Sequence, residues 1–127
     1  MRAFREAVEA GDMEAAIALL ADDIVFNSPV VHKPYQGRAI TAAILRAVAQ
    51  VFQDLRYERE LNDGTDHALV FTAHIGDRDL TGCDLIHVNE NGLIDELTVM
   101  VRPLSAAQAL QAAMAARFEE IAADAAG

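Results

Sequence analysis

Asp84 is the residue of this chain best placed to do chemistry. Segment 80–89 alternates, with Gly82, Asp84, Ile86 and Val88 on one face and Cys83, Leu85 and His87 on the other. Ile86 and Val88 direct the first set toward an apolar interior, and Asp84 goes with them. Desolvation disfavours the charged form of a carboxyl and raises its pKa. A neutral carboxylic acid in an apolar pocket can donate a hydrogen bond to a ligand oxygen, and an ionised one can act as a general base. The competing expectation is a core or rim carboxyl satisfied by a backbone amide or a tyrosine.

Other polar candidates are weaker. His32, Lys33 and Tyr35 fall in the loop 30–37 that follows Pro29, either at the mouth of a pocket or in open solvent. His74 alternates with Leu69, Phe71, Ala73 and Ile75 and is expected on the outer surface or at a subunit contact; His87 is expected there as well. His67 lies near a turn. The four histidines lack close ligand spacing, and parity separates His87 from Asp84, so no metal site is expected. There is no phosphate-binding glycine loop and no dinucleotide fingerprint, so no cofactor is expected. Cys83 is the only cysteine, has no evident activating base and reads as a small packing residue.

The spacing of apolar residues supplies the frame. Helices are predicted at 3–10 and about 13–21, with Gly11 closing the first and Asp12 capping the second. A short strand, Ile24-Val25-Phe26, follows and ends before Pro29. A third helix runs over about 38–52 on the stripe Ile40, Ile44, Val48 and Val51. Strands are predicted near 55–62, 67–76, 80–89 and 93–103. The turns between them, at Asp63-Gly64, Gly76–Asp79 and Asn89–Gly92, are short enough for an antiparallel meander. A last helix opens at Ser105, with Gln108 completing a capping box and Leu110, Met114, Phe118 and Ile121 as its stripe.

Helices at one end of the chain and antiparallel strands at the other imply an α+β fold, one domain over 1–127 with a curved sheet wrapped around helices. In 93–103, Leu97, Val99 and Val101 face inward, so Ile86, Val88, Leu97, Val99 and Val101 are the expected pocket walls around Asp84. Glu96, Thr98, Met100 and Arg102 share the outer face, which could pair with a second subunit.

Composition narrows the partners. Ten basic residues against 20 acidic ones leave a formal charge of −10, which argues against nucleic acid and anionic membranes. No apolar run approaches the length of a membrane span, and the first residues hold no apolar signal core, so a cytoplasmic protein is expected.

Several short strings share an order and spacing with a known pattern: Ala10-Gly11-Asp12, Ala18–Asp23, Pro29-Val30, Gly37–Ile40, Gly82-Cys83-Asp84 and Asn91-Gly92. Over about 4–103 the chain resembles the nuclear transport factor 2-like superfamily, in its ketosteroid isomerase and SnoaL-like branches. The resemblance implies a cone-shaped α+β domain, often a homodimer, that binds a small apolar molecule. In the isomerase branch a carboxylate base falls on Ser28 of this chain, a tyrosine donor falls on Phe4, and a protonated aspartic acid falls on Asp84. Two of these three positions lack the side chain the isomerase uses. In the SnoaL-like branch Asp84 would be the acid/base, with His32 or Tyr35 as partner and no cofactor. A limonene epoxide hydrolase-like set is tempting at Asp77-Arg78-Asp79, but that string is expected to be a solvated turn. Two functions remain open: a cofactor-independent isomerase, cyclase or hydrolase of an apolar oxygenated substrate, and a non-catalytic ligand- or protein-binding domain.

Overall fold

A computed structural model describes residues 1–127 as five helices and one six-stranded sheet. The first helix, α1 (Arg2–Glu9), is followed by Gly11 at φ 74°, a left-handed turn that a side chain would oppose. α2 (Met13–Ile17) starts at Asp12, whose carboxylate accepts the Ala15 N–H at 3.1 Å as expected of a cap. α2 stops four residues short of the predicted end. Leu20 and Ala21 are buried as part of β1 (Leu20–Asn27), because Leu20 pairs with Ile94 in the sheet. The register shifts between Leu20 and Val25, which leaves Asp22 and Asp23 exposed.

Tyr35 is not in an irregular loop. It opens β2 (Tyr35–Gln36), which pairs with β1 through Phe26. α3 (Arg38–Val51) then leads into the predicted meander: β3 (Gln53–Asp63), β4 (Asp66–Ile75), β5 (Arg78–Val88) and β6 (Ile94–Arg102). The strand order is β2-β1-β6-β5-β4-β3; β1 and β6 run parallel and every other pair is antiparallel. Arg78 and Asp79 lie in β5 rather than in the turn, and both are exposed.

The predicted last helix is two helices, α4 (Leu104–Ala115) and α5 (Phe118–Ala126), broken at Ala116–Arg117. Pro103 occupies the cap position of α4 without a side-chain bond, so the Ser105/Gln108 box does not form. The break also disrupts the stripe. Leu110 and Ile121 are buried, but Phe118 begins α5 at 69% exposure, since a 3.6-residue period does not continue through the kink. None of the helices is long and apolar enough to cross a membrane.

The chain is thus an α+β fold, a curved, mainly antiparallel sheet with its helices packed on the concave side. Alternation decides what meets there. On adjacent inner rows stand Glu60–Leu69–Asp84–Val99 and Tyr57–Phe71–Gly82–Val101, each read across β3, β4, β5 and β6.

Candidate active site

Those two rows build the site. Tyr57 on β3 and Asp84 on β5 are two strands and one row apart, and a tyrosine is long enough to reach across β4. Its hydroxyl donates to Asp84 Oδ2 at 2.7 Å. Both residues are buried, at 4% and 6% exposure. The aromatic ring of Phe71 lies against Gly82, where a Cβ would stand 2.2 Å from Phe71 Cζ. The edge of one ring meets the face of the other where Phe71 packs on Tyr57, with centroids 5.9 Å apart and planes at 78°. Gly82 therefore makes room for the ring that supports Tyr57.

Removal from water pushes the Asp84 carboxyl up to about 7, and the Tyr57 hydrogen bond to the carboxylate opposes part of that rise. Burial and the neighbouring Asp84 hold the Tyr57 hydroxyl well above its ordinary pKa, so it stays protonated and keeps donating. Asp84 Oδ1 has no partner within the protein, yet it is not sealed away; the one sealed and unpaired side-chain polar atom is Arg117 Nε. Oδ1 is the free oxygen of the pair, and Asp84 lines the cavity beside it.

That cavity holds about 870 Å³ between the concave sheet face, α1, α3 and the α4–α5 pair. Of its 31 lining residues 24 are hydrophobic, which suits an apolar ligand with few polar groups. Asp84, Ser28, Tyr35, Leu97 and Val99 are on its wall. Ser28 Oγ accepts the Val30 N–H at 3.2 Å and turns the chain at the mouth. Tyr35 packs on Phe26 with centroids 6.2 Å apart. Phe4 is an apolar part of the wall.

Four expected residues are elsewhere. His32 is exposed on the loop and does not reach the cavity. Ile86 is sealed in the core, and Val88 and Val101 pack against that core. Alternation gave their inward direction correctly, but the cavity opens only along part of the inner face. The remaining histidines do not line it: His67 pairs with Asn62 at 2.6 Å, His87 with Asp95, and His74 with Asp54, itself on the cavity wall, at 2.6 Å.

Tyr57 was absent from the sequence candidates. Its signal was the alternation of Leu55 with Tyr57 in β3, the only inward-facing tyrosine opposite Phe71. The contribution of α5 to the wall, through Phe118, Ile121 and Ala122, depends on the break at Ala116–Arg117, which leaves no periodic trace.

The sheet, its helices and this cavity define a cone of the nuclear transport factor 2-like class. Residues 1–97 match the SnoaL-like domain, and the chain belongs to that family. Among solved structures, a Silicibacter pomeroyi DSS-3 protein with a cystatin-like fold is 42% identical, with a TM-score of 0.87 over 91% of this chain and 82% of its own. A steroid delta-isomerase from Pseudomonas aeruginosa is 39% identical, with a TM-score of 0.86 over 93% of this chain and 88% of its own. A Mesorhizobium loti protein described as NTF2-like, 22% identical with a TM-score of 0.71 over 81% and 88%, shares the fold. No curated protein matches the chain.

Proposed function

We propose that the cavity binds a small apolar molecule carrying a carbonyl or similar oxygen, and that Asp84 acts on that oxygen as a neutral acid. The observation that carries this reading is the buried Tyr57–Asp84 pair on the cavity wall, with Asp84 Oδ1 left unbonded by the protein. Tyr57 spends its proton on Oδ2, so a protonated Asp84 has its own O–H free for the ligand. In a cavity with so few polar groups, such a bond polarises a carbonyl and acidifies the neighbouring C–H, whose proton passes to solvent water as the enol forms and returns from solvent when the carbonyl reforms. The likeness to a steroid delta-isomerase supports isomerase-type chemistry of this kind. The pair is tested with a panel of apolar ketones, lactones and phenols, read by thermal shift on wild type and Asp84→Asn. An amide still occupies the site, but it presents N–H or C=O in place of an acid. Expected is binding to both proteins and, for the true substrate, exchange of the proton beside the carbonyl into heavy water with wild type only. Equal exchange by Asp84→Asn would sink the assignment.

A second reading is binding without turnover. Ser28 supports it: the resemblance carries the isomerase base onto this position, which holds a hydroxyl that accepts the Val30 N–H. Ligand binding by wild type with no proton exchange at any pH is the result that favours it.

The same proposal includes a homodimer through the convex sheet face. Its rows grade from Arg56–Thr72–Thr81–Arg102, through Arg59–Val70–Cys83–Met100 and Leu61–Ala68–Leu85–Thr98, to Asp63–Asp66–His87–Glu96. Leu61 and Met100 are 61% and 55% exposed. A two-fold axis near the middle rows would lay the basic end of one copy on the acidic end of the other. Light scattering should give twice the chain mass for wild type and the chain mass for Met100→Lys; a monomeric wild type would end this part of the reading.

A further inference from the structure

The Tyr57–Asp84 bond needs the phenol to be held at one place, and the sheet alone does not hold it. β3 is an edge strand with β4 as its one neighbour. Its register slips directly after Tyr57: Tyr57 pairs with Phe71, Arg59 with Val70, and Glu58 is the extra residue of a bulge. Bulges bend a strand and re-aim the side chains beside them. At this point two side chains of α1 replace the missing strand partner. Glu9 Oε2 accepts the Tyr57 N–H at 3.1 Å, and Arg5 Nη2 donates to the Tyr57 carbonyl at 3.2 Å. The clamp is closed on itself, since Arg5 Nε donates to Glu9 Oε1 at 3.3 Å across one helical turn. It is also anchored to the same strand, where Arg5 Nη1 lies 3.5 Å from Glu60 Oε1.

We propose that Arg5 and Glu9 are positioning residues for the Tyr57–Asp84 pair, gripping both peptide groups of Tyr57 at the bulged edge so that its hydroxyl meets Asp84. The inference rests on the reading of that pair as the working group of the cavity. It extends the site to two charged residues on α1, next to Phe4 and Val8 of the same wall. Phe71 steadies the ring from the other side. Neither Arg5 nor Glu9 bonds to Asp84, so their influence passes through Tyr57.

The titration of Asp84, followed by carbon NMR of its carboxyl in the ligand-free protein, reads this directly. The groups that bear on it are Tyr57, its neighbour Cys83, and Glu9 and Arg5 beyond Tyr57. Tyr57→Phe removes the hydrogen bond to the carboxylate and should raise the Asp84 midpoint. Glu9→Ala should raise it in the same direction, by roughly half to one pH unit, if Tyr57 moves off its line. In a Tyr57→Phe background, Glu9→Ala should add nothing. Glu9→Gln keeps an acceptor for the Tyr57 N–H and should recover most of the wild-type midpoint. The sign separates the alternatives, because loss of a nearby negative charge alone would lower the midpoint. A Glu9→Ala protein that melts earlier but titrates Asp84 as wild type does would overturn the proposal, as would a rise that persists without the Tyr57 hydroxyl. Since no ligand is present, either outcome is independent of whether the cavity turns anything over.

Discussion

Two carboxylate sites in this molecule answer to opposite physics. At the cavity floor Asp84 is buried and meets one neutral donor, Tyr57, so desolvation governs it and holds its pKa high. On the helical side Arg46 gathers Glu14 at 2.9 Å and Asp124 at 3.0 Å in the open, and the guanidinium draws the Glu14 carboxyl below its usual range. Asp84 costs the fold stability when ionised and offers chemistry in return. The Arg46 cluster joins α2, α3 and α5 and leaves its charges solvated. Function collects where a charge is hard to maintain.

The largest test of this contrast is a pH titration of stability. Asp84 ionises near 3.8 when unfolded and near 7 when folded, so the folded state holds the extra proton between those values. Its contribution is full below about pH 4 and is lost as pH rises through about 7. The shift corresponds to a loss on the order of 4 kcal/mol. Asp84→Asn cannot titrate, so its stability relative to wild type should rise by that order between acid and mildly alkaline pH, measured by urea unfolding. A constant difference across this range would show that Asp84 is not the desolvated group the geometry makes it.

Next in size is Gly82→Ala. Its new methyl would enter the Phe71 ring, and relief requires the ring to move off Tyr57. Overpacking of this kind costs about 1–3 kcal/mol. The Asp84 midpoint should move with it. Wild-type melting in Gly82→Ala would mean that Phe71 has another place to go.

How far the sequence reached follows from the same residues. Period-two patterns gave the four long strands and the inward face of Asp84, because alternation is a property of each strand alone. The α+β layout was legible for that reason, and the family resemblance came from the order and spacing of short strings such as Ala10-Gly11-Asp12 and Gly82-Cys83-Asp84. The partner of Asp84 was not, since Tyr57 joins it across an intervening strand, and that depends on the β3–β4–β5 register and a bulge at Glu58. Ile86, Val88 and Val101 had the right face but the wrong depth: where packing ends and open space begins is set by the helices on the far side. Met13, Ile17 and Leu20 keep helical spacing, yet the pairing of Leu20 with Ile94 outweighs that local preference.

Asp12→Ala sharpens the distinction between local and tertiary control. The Asp12 cap was visible in the sequence and is made as expected, by a single bond to Ala15 N–H. Its removal should cost about 1 kcal/mol in chemical denaturation, with no change at Asp84. A moved Asp84 midpoint would mean that α2 couples to the cavity floor.

The smallest effect is expected at the other pole of the comparison. Arg46→Gln breaks the bridges to Glu14 and Asp124 that fasten α5 against α2 and α3. Exposed ion pairs contribute little each and are screened by salt, so the melting temperature should fall slightly at low ionic strength and by less in high salt. Ligand exchange is the more sensitive readout, because Ile121 and Ala122 of α5 form part of the cavity wall. With the bridges gone, α5 is held mainly by the burial of Ile121, and any ligand found for the cavity should enter and leave faster. High salt applied to wild type should reproduce that acceleration and add little to the variant. Unchanged exchange in both would show that the wall formed by α5 stands on its apolar contacts alone.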